Sequence, residues 1–185
     1  MERLIEIAAD LLDFCEAQSW QACIIGGLAV QRWGEPRLTR DVDLSLLTGF
    51  GREEAFVEKL TERYEARVED ARSFALRNRV VLLAKDGVGI DVALAAIPFE
   101  ERVVERSSWF EFLPGKHLRT CSAEDLIVYK AFADRPRDWV DIEGIAIRQG
   151  SKLDVQSIEF ELGPLAAAKE SPGILTRLRE ALHSR

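Results

Sequence analysis

Asp41 and Asp43 stand two residues apart in Asp41-Val42-Asp43-Leu44-Ser45-Leu46, a stretch that alternates polar and apolar side chains. A period of two predicts a half-buried strand, with both carboxylates on one face and Val42, Leu44 and Leu46 turned into a core. A third acid, Asp91, interrupts the apolar run Val88-Gly89-Ile90-Asp91-Val92-Ala93-Leu94, on the face opposite Ile90 and Val92. Unpaired carboxylates are seldom buried, so an acid inside such a run is informative. If the two strands are neighbours in one sheet, three carboxylates converge on one patch. Two like charges about 4 Å apart repel by roughly 4 kcal/mol at an effective dielectric of about 20, so protons or cations must relieve the patch. Hard divalent cations do so with oxygen ligands, and Mg²⁺ is usually held by one or two carboxylates plus substrate phosphates. Two such ions can clamp the attacking and leaving oxygens of an in-line displacement. The pattern therefore points to metal-dependent phosphoryl or nucleotidyl chemistry. The plain alternative for the Asp-x-Asp pair is a solvated strand face.

Upstream of the acids, Gln21-Ala22-Cys23-Ile24-Ile25 reads as a short buried strand closed by Gly26-Gly27 and followed by a short helix, Leu28 to Trp33, that Gly34 and Pro36 stop. Glycines at a strand-to-helix junction let the backbone approach phosphate oxygens, and the helix N-terminus offers unpaired N–H donors. The spacing matches neither the Rossmann fingerprint nor the P-loop, and a simple turn is the alternative.

The strings Ile25-Gly26-Gly27-Leu28-Ala29-Val30 and Gly34-Glu35-Pro36-Arg37-Leu38-Thr39-Arg40-Asp41-Val42-Asp43-Leu44 together resemble the signature of the polymerase-β-like nucleotidyltransferase superfamily. Within it they are most similar to the AbiEii-type branch, which includes nucleotidyltransferase-like toxins of toxin–antitoxin systems. A second block, Ser122 to Ala133 followed by Arg135-Pro136-Arg137-Asp138-Trp139-Val140-Asp141-Ile142, also resembles that branch. The resemblance implies an α/β (α+β) fold: a mixed sheet of the nucleotidyltransferase type flanked by helices, then a C-terminal helical bundle, with NTP in the cleft between them. It implies two Mg²⁺ ions, an NTP donor, and transfer of a nucleoside monophosphate to a hydroxyl of a tRNA, a protein or a small molecule. Asp41, Asp43 and Asp91 would be the metal ligands and catalytic acids, and Gly26, Gly27 and Lys130 would position the phosphates. Arg37 and Arg40 flank the acidic strand and would bind phosphate or acceptor, or simply pair with acids. Gly27 replaces a serine that many members carry. A toxin of this branch would have an antitoxin partner. The alternative is a catalytically inactive module of the same fold that binds or regulates.

Lys130 shares a helical face with Leu126 and Ala133, an odd place for a cation unless that face borders an anionic group; snorkelling from a partly buried face is the other explanation. Asp138 and Asp141, three apart on a helix, would order that wall or favour the helix N-terminus. We favour a structural role for Asp141 and leave Asp138 open.

The remaining elements follow from periodicity. Leu4, Ile7, Ala8, Leu11, Leu12 and Cys15 predict a helix over 2–18, and Phe56, Val57 and Leu60 another over 53–64. Val80–Ala84 and Val88–Ala95 flank Lys85-Asp86-Gly87, a hairpin signal. A helix is expected at 99–105, an extended piece at 109–113, and helices from Ser122 onward, with one from Pro136 to Gly150 and others over 154–168 and 172–183. We expect four or five strands and divide the chain into a nucleotidyltransferase core, 1–115, and a helical region, 116–185.

Composition narrows the classes. The 185 residues are 47% hydrophobic and 31% charged, which excludes disorder and disulfide scaffolds. No apolar run approaches a membrane span, and the three cysteines lack metal-ligand spacing, which predicts reduced thiols in a cytoplasm. Lys and Arg number 25 against 32 Asp and Glu, a net charge of −7, the wrong sign for gripping duplex DNA nonspecifically.

Overall fold

The computed structural model describes residues 1–183. In chain order the elements are α1 (Glu2–Ala17), β1 (Ala22–Ile24), α2 (Gly26–Trp33), β2 (Asp41–Leu47), α3 (Glu53–Arg63), β3 (Glu65–Ala66), α4 (Ala71–Asn78), β4 (Val80–Lys85) and β5 (Val88–Ala95). They continue with α5 (Pro98–Arg106), β6 (Ser108–Leu113), β7 (Lys116–Thr120), α6 (Ala123–Ala133), α7 (Pro136–Gln149), a short 3₁₀ turn (Gly150–Lys152), α8 (Val155–Ala168) and α9 (Gly173–His183). The predicted α/β class is observed. Two compact units divide the chain: Met1–Leu28 with Leu38–Cys121, and Ala29–Arg37 with Ser122–Arg185.

The first unit is built on a mixed sheet of seven strands among the described residues, in the order β3-β4-β5-β2-β1-β7-β6. The sequence predicted four or five. The extra strands are those with little apolar periodicity: β3 is two exposed residues, and β7 buries only Leu118 and Thr120 of Lys116-His117-Leu118-Arg119-Thr120. Helix α4 escaped for the same reason, since it buries only Ala75; its N-cap is the Asp70 side chain, which accepts from the Ser73 amide at 3.0 Å. The compositional shift near residue 115 falls in the β6–β7 turn, where Gly115 has a φ of +73°. The β4–β5 hairpin closes through Asp86 and Gly87, both at positive φ, as a tight two-residue loop between twisted strands requires.

Val42, Leu44 and Leu46 of β2, with Ile90 and Val92 of β5, are fully buried and pack in one cluster with Leu4, Ile7, Ala8, Leu11 and Cys15 of α1. Because strand side chains alternate, burying this face fixes the acids of β2 and β5 on the other. In the second unit α6 packs on α7 and α8, and α9 on both of the latter. Leu126, Ile127, Ile142, Ile145, Ile158, Leu162 and Leu178 are among its fully buried side chains. Ser122 caps α6, its hydroxyl accepting from the Asp125 amide at 3.0 Å and donating to the Asp125 carboxylate at 2.8 Å. The second half of α2 belongs to this unit: Arg148 donates to the Gly34 carbonyl at 2.6 Å and Gln149 to that of Trp33 at 2.7 Å.

Candidate active site

Strands β2 and β5 run parallel, with Asp43 paired to Asp91 and Asp41 to Gly89. Register partners in neighbouring strands face the same way, so Asp41, Asp43 and Asp91 share the face opposite the core, as the sequence predicted. Asp41 is exposed, whereas Asp43 and Asp91 are half-buried. Burial pushes the Asp91 carboxyl above the usual aspartate range, and the nearby Asp41 adds to the rise while Arg67 opposes it.

The glycine turn closes directly onto this face. Gly26 has a φ of +59°, and a Cβ there would overlap the Asp43 carboxylate. Its neighbour Gly27, the first turn of α2, donates its amide to Asp43 Oδ2 at 3.3 Å. A side chain at Gly27 would collide with the Thr39 hydroxyl, which itself donates to Asp41 Oδ1 at 3.2 Å. Both glycines are thus sterically required. The space a serine at position 27 would use is filled by a hydroxyl arriving from Thr39.

Sequence reasoning missed two residues of this face. One is Thr39, whose placement depends on the loop before β2. The other is Arg67, which ion-pairs with Asp91. Its backbone amide donates to the Leu82 carbonyl at 2.9 Å, extending the β3–β4 pairing by one residue. No local signal marks Arg67, because it reaches Asp91 across the β3–β4–β5 order.

The acids are oxygen donors of the hard type that Mg²⁺ prefers, so the residues fit that ion in kind. Among the described residues, no three His, Cys, Asp or Glu side chains stand together as a ready metal cage. An ion held by one or two carboxylates and completed by substrate phosphates suits such a face.

The other predicted residues lie elsewhere. Arg40 is exposed on the loop entering β2. Lys130 is in the second unit, buried, with its ammonium 3.2 Å from Asp138 and 2.6 Å from Asp141. Arg37 grips Asp141 with two hydrogen bonds, at 2.6 and 2.7 Å, and Arg135 holds Asp138 at 2.6 Å. Burial pushes the Asp141 carboxyl up, but the bonds from Arg37 and Lys130 outweigh it and hold the group below the usual aspartate range. The odd cation on the apolar face of α6 is therefore paired inside the helical unit.

No protein-family model and no curated protein matches the chain. Solved structures do. An antigenic nucleotidyltransferase-like protein from Paracoccidioides brasiliensis is similar over 97% of this chain and 93% of its own, at a TM-score of 0.55 and 15% identity. The chain has a nucleotidyltransferase-like fold. Two structures of the antibiotic-resistance factor ANT(2'')-Ia share it. Its solution structure, associated with substrate-regulated conformation dynamics, matches at a TM-score of 0.52 and 18% identity, covering 90% of this chain and 92% of that one. Its crystal structure with adenylyl-2''-tobramycin matches at 0.53 and 20% identity, covering 89% and 98%. None of the described helices is long and apolar enough to cross a membrane.

Proposed function

We propose that the chain transfers a nucleoside monophosphate from an NTP to a hydroxyl acceptor, with Mg²⁺ as cofactor. The observation that carries this reading is the pairing of Asp43 with Asp91 beside Asp41, on the face where Gly26 and Gly27 close against Asp43, within a nucleotidyltransferase-like fold. Asp41 and Asp43 would ligate the metal, two ions by the superfamily resemblance, and Asp91 would complete the set. When bound, the cation supplies charge neutralisation at the phosphates and lowers the pKa of an attacking hydroxyl. Asp91, half-buried near Asp41 with its carboxyl held above the usual aspartate range, has a strengthened affinity for protons and would help take the hydroxyl proton. Gly26 and Gly27 leave the turn without side chains where phosphates would approach, and Arg40 stands exposed to meet phosphate or acceptor. Lys130 would reach a triphosphate only by giving up Asp138 and Asp141, so its part in this reading is to neutralise those two acids.

The complex of ANT(2'')-Ia with adenylyl-2''-tobramycin supports an adenylyl donor and a small-molecule hydroxyl as acceptor. The similarity of residues 25–44 to the AbiEii-type branch favours a second reading, a cytoplasmic toxin with tRNA or protein as acceptor and an antitoxin as partner. Thermal unfolding with Mg²⁺ alone, each NTP alone, and both together tests the shared part. Stabilisation by nucleotide that requires the metal is expected; no shift with any NTP would favour a non-catalytic binding module. Labelled NTP with a fractionated cell extract then separates small-molecule, RNA and protein acceptors.

A further inference from the structure

Arg67 is the charged group on the acidic face that the proposed chemistry leaves without a task, and its position is built rather than incidental. Its amide is tied to the Leu82 carbonyl at 2.9 Å, and Leu82 is the register partner of Asp91 in the β4–β5 hairpin. Its side chain crosses from there to ion-pair with Asp91. It passes over Gly89, the register partner of Asp41: a Cβ on Gly89 would stand 3.3 Å from Arg67 Nη1 and 3.8 Å from Asp41 Cβ. A strand position without a side chain thus makes room for a guanidinium beside two of the three carboxylates.

We propose that Arg67 is a stand-in cation, which neutralises Asp91 while no metal is bound and must yield that carboxylate before a divalent ion can take it. The inference rests on the metal-dependent reading above and adds a control on metal entry. Its physical basis is charge. The guanidinium never deprotonates, so it cannot become neutral to admit a second cation, and a divalent ion beside it would be repelled. Arg67 therefore weakens metal binding to the empty face. A displaced guanidinium gains most when an anion is at hand, so a triphosphate arriving with the metal offsets the loss of Asp91. Metal and nucleotide then bind with positive coupling, and the face avoids loading metal alone.

The test follows Mn²⁺ binding to the full chain by electron paramagnetic resonance, without nucleotide and with α,β-methylene ATP. Arg67 and Asp91 are each about one-third exposed, at 37% and 34%, so removing the pair leaves the fold intact. Arg67→Met and Arg67→Gln should each bind Mn²⁺ about fivefold more tightly than the wild type without nucleotide, the order expected for releasing a partly exposed pair. The advantage should shrink once the analogue is present. Asp43→Asn should lose Mn²⁺ in every background. Unchanged or weaker Mn²⁺ binding by both Arg67 variants, with the wild type binding metal and Asp43→Asn failing to, overturns the stand-in role and leaves the site assignment in place. Absence of Mn²⁺ binding by the wild type and the Arg67 variants, with or without the analogue, overturns both.

Discussion

In the helical unit, Lys130 lies between Asp138 and Asp141, with Arg37 and Arg135 completing the pairing. In the sheet unit, Asp41, Asp43 and Asp91 share a face with the guanidinium of Arg67. The first set is closed. Asp141 and Lys130 expose only 3% and 6% of their side chains, and their charges cancel at hydrogen-bond distance. The second is open, with Asp41 exposed to solvent. Buried ions lose their hydration and must find it again in partners, so the closed set is a matter of structure. Acids gathered on an accessible face stand where the positive charge of a ligand can reach them. The same residue types thus serve two ends, separated by burial rather than by chemistry.

The sharpest way to break this contrast is one substitution in each set. Asp43→Asn removes a proposed metal ligand from the open face, and nucleotidyl transfer should fall by about a thousandfold, the scale of losing metal charge stabilisation. Its melting temperature should stay close to that of the wild type; retained turnover would refute the assignment. Asp141→Asn does the reverse. It leaves Lys130 with Asp138 as its carboxylate and sets Arg37 against a neutral amide, and stability should drop by about 3 kcal/mol, near 8 °C in Tm by the usual scaling. Equal stability in denaturant titrations would show that the network is dispensable.

Those two experiments also mark how far the sequence carries. Alternation in residues 41–46 and the acid within 88–94 set each carboxylate on the polar side of its own strand, because a buried strand face leaves only one side for polar groups; that the two strands are neighbours, which brings the three together, is seen only in the structure. The glycine pair was legible as a close approach, although its partners, Asp43 and Thr39, were not. Arg67 was invisible because its meeting with Asp91 is made by strand order, which no local pattern encodes. Lys130 stood out as a cation on an apolar face; the helix hairpin that brings Asp138 and Asp141 back to it supplies the rest. Strand β7 and helix α4 were passed over because each buries too little to leave a period.

A pH series sharpens the comparison further. The folded-state carboxyl of Asp141 is held below its ordinary value of 3.8, so its contribution is complete above that value and is lost as pH falls through the lower one. The stability gap between wild type and Asp141→Asn should therefore be constant at neutral pH and narrow once the medium is more acidic than about pH 4. A gap that widens in acid would reverse the sign of the argument. The smallest effect expected is from Gly26→Ala. A methyl group at positive φ against the Asp43 carboxylate should cost about 1–2 kcal/mol of stability, with activity reduced through displacement of Asp43. An alanine variant with wild-type stability and activity would remove the steric requirement.

The parallel pairing of β2 with β5 has a consequence for when the protein becomes competent. These strands are joined through α3, β3, α4 and β4, so their contacts span a long loop whose closure entropy must be met before any pairing is rewarded. Helices and the β4–β5 hairpin can form early from neighbours in the chain, but Asp43 cannot face Asp91 until that distant closure is made. A slip of one residue in β2 would turn its aspartates into the apolar layer, an arrangement too unfavourable to persist. A newly made chain therefore gains its three-acid face only with a correctly aligned sheet, and partly folded copies lack it.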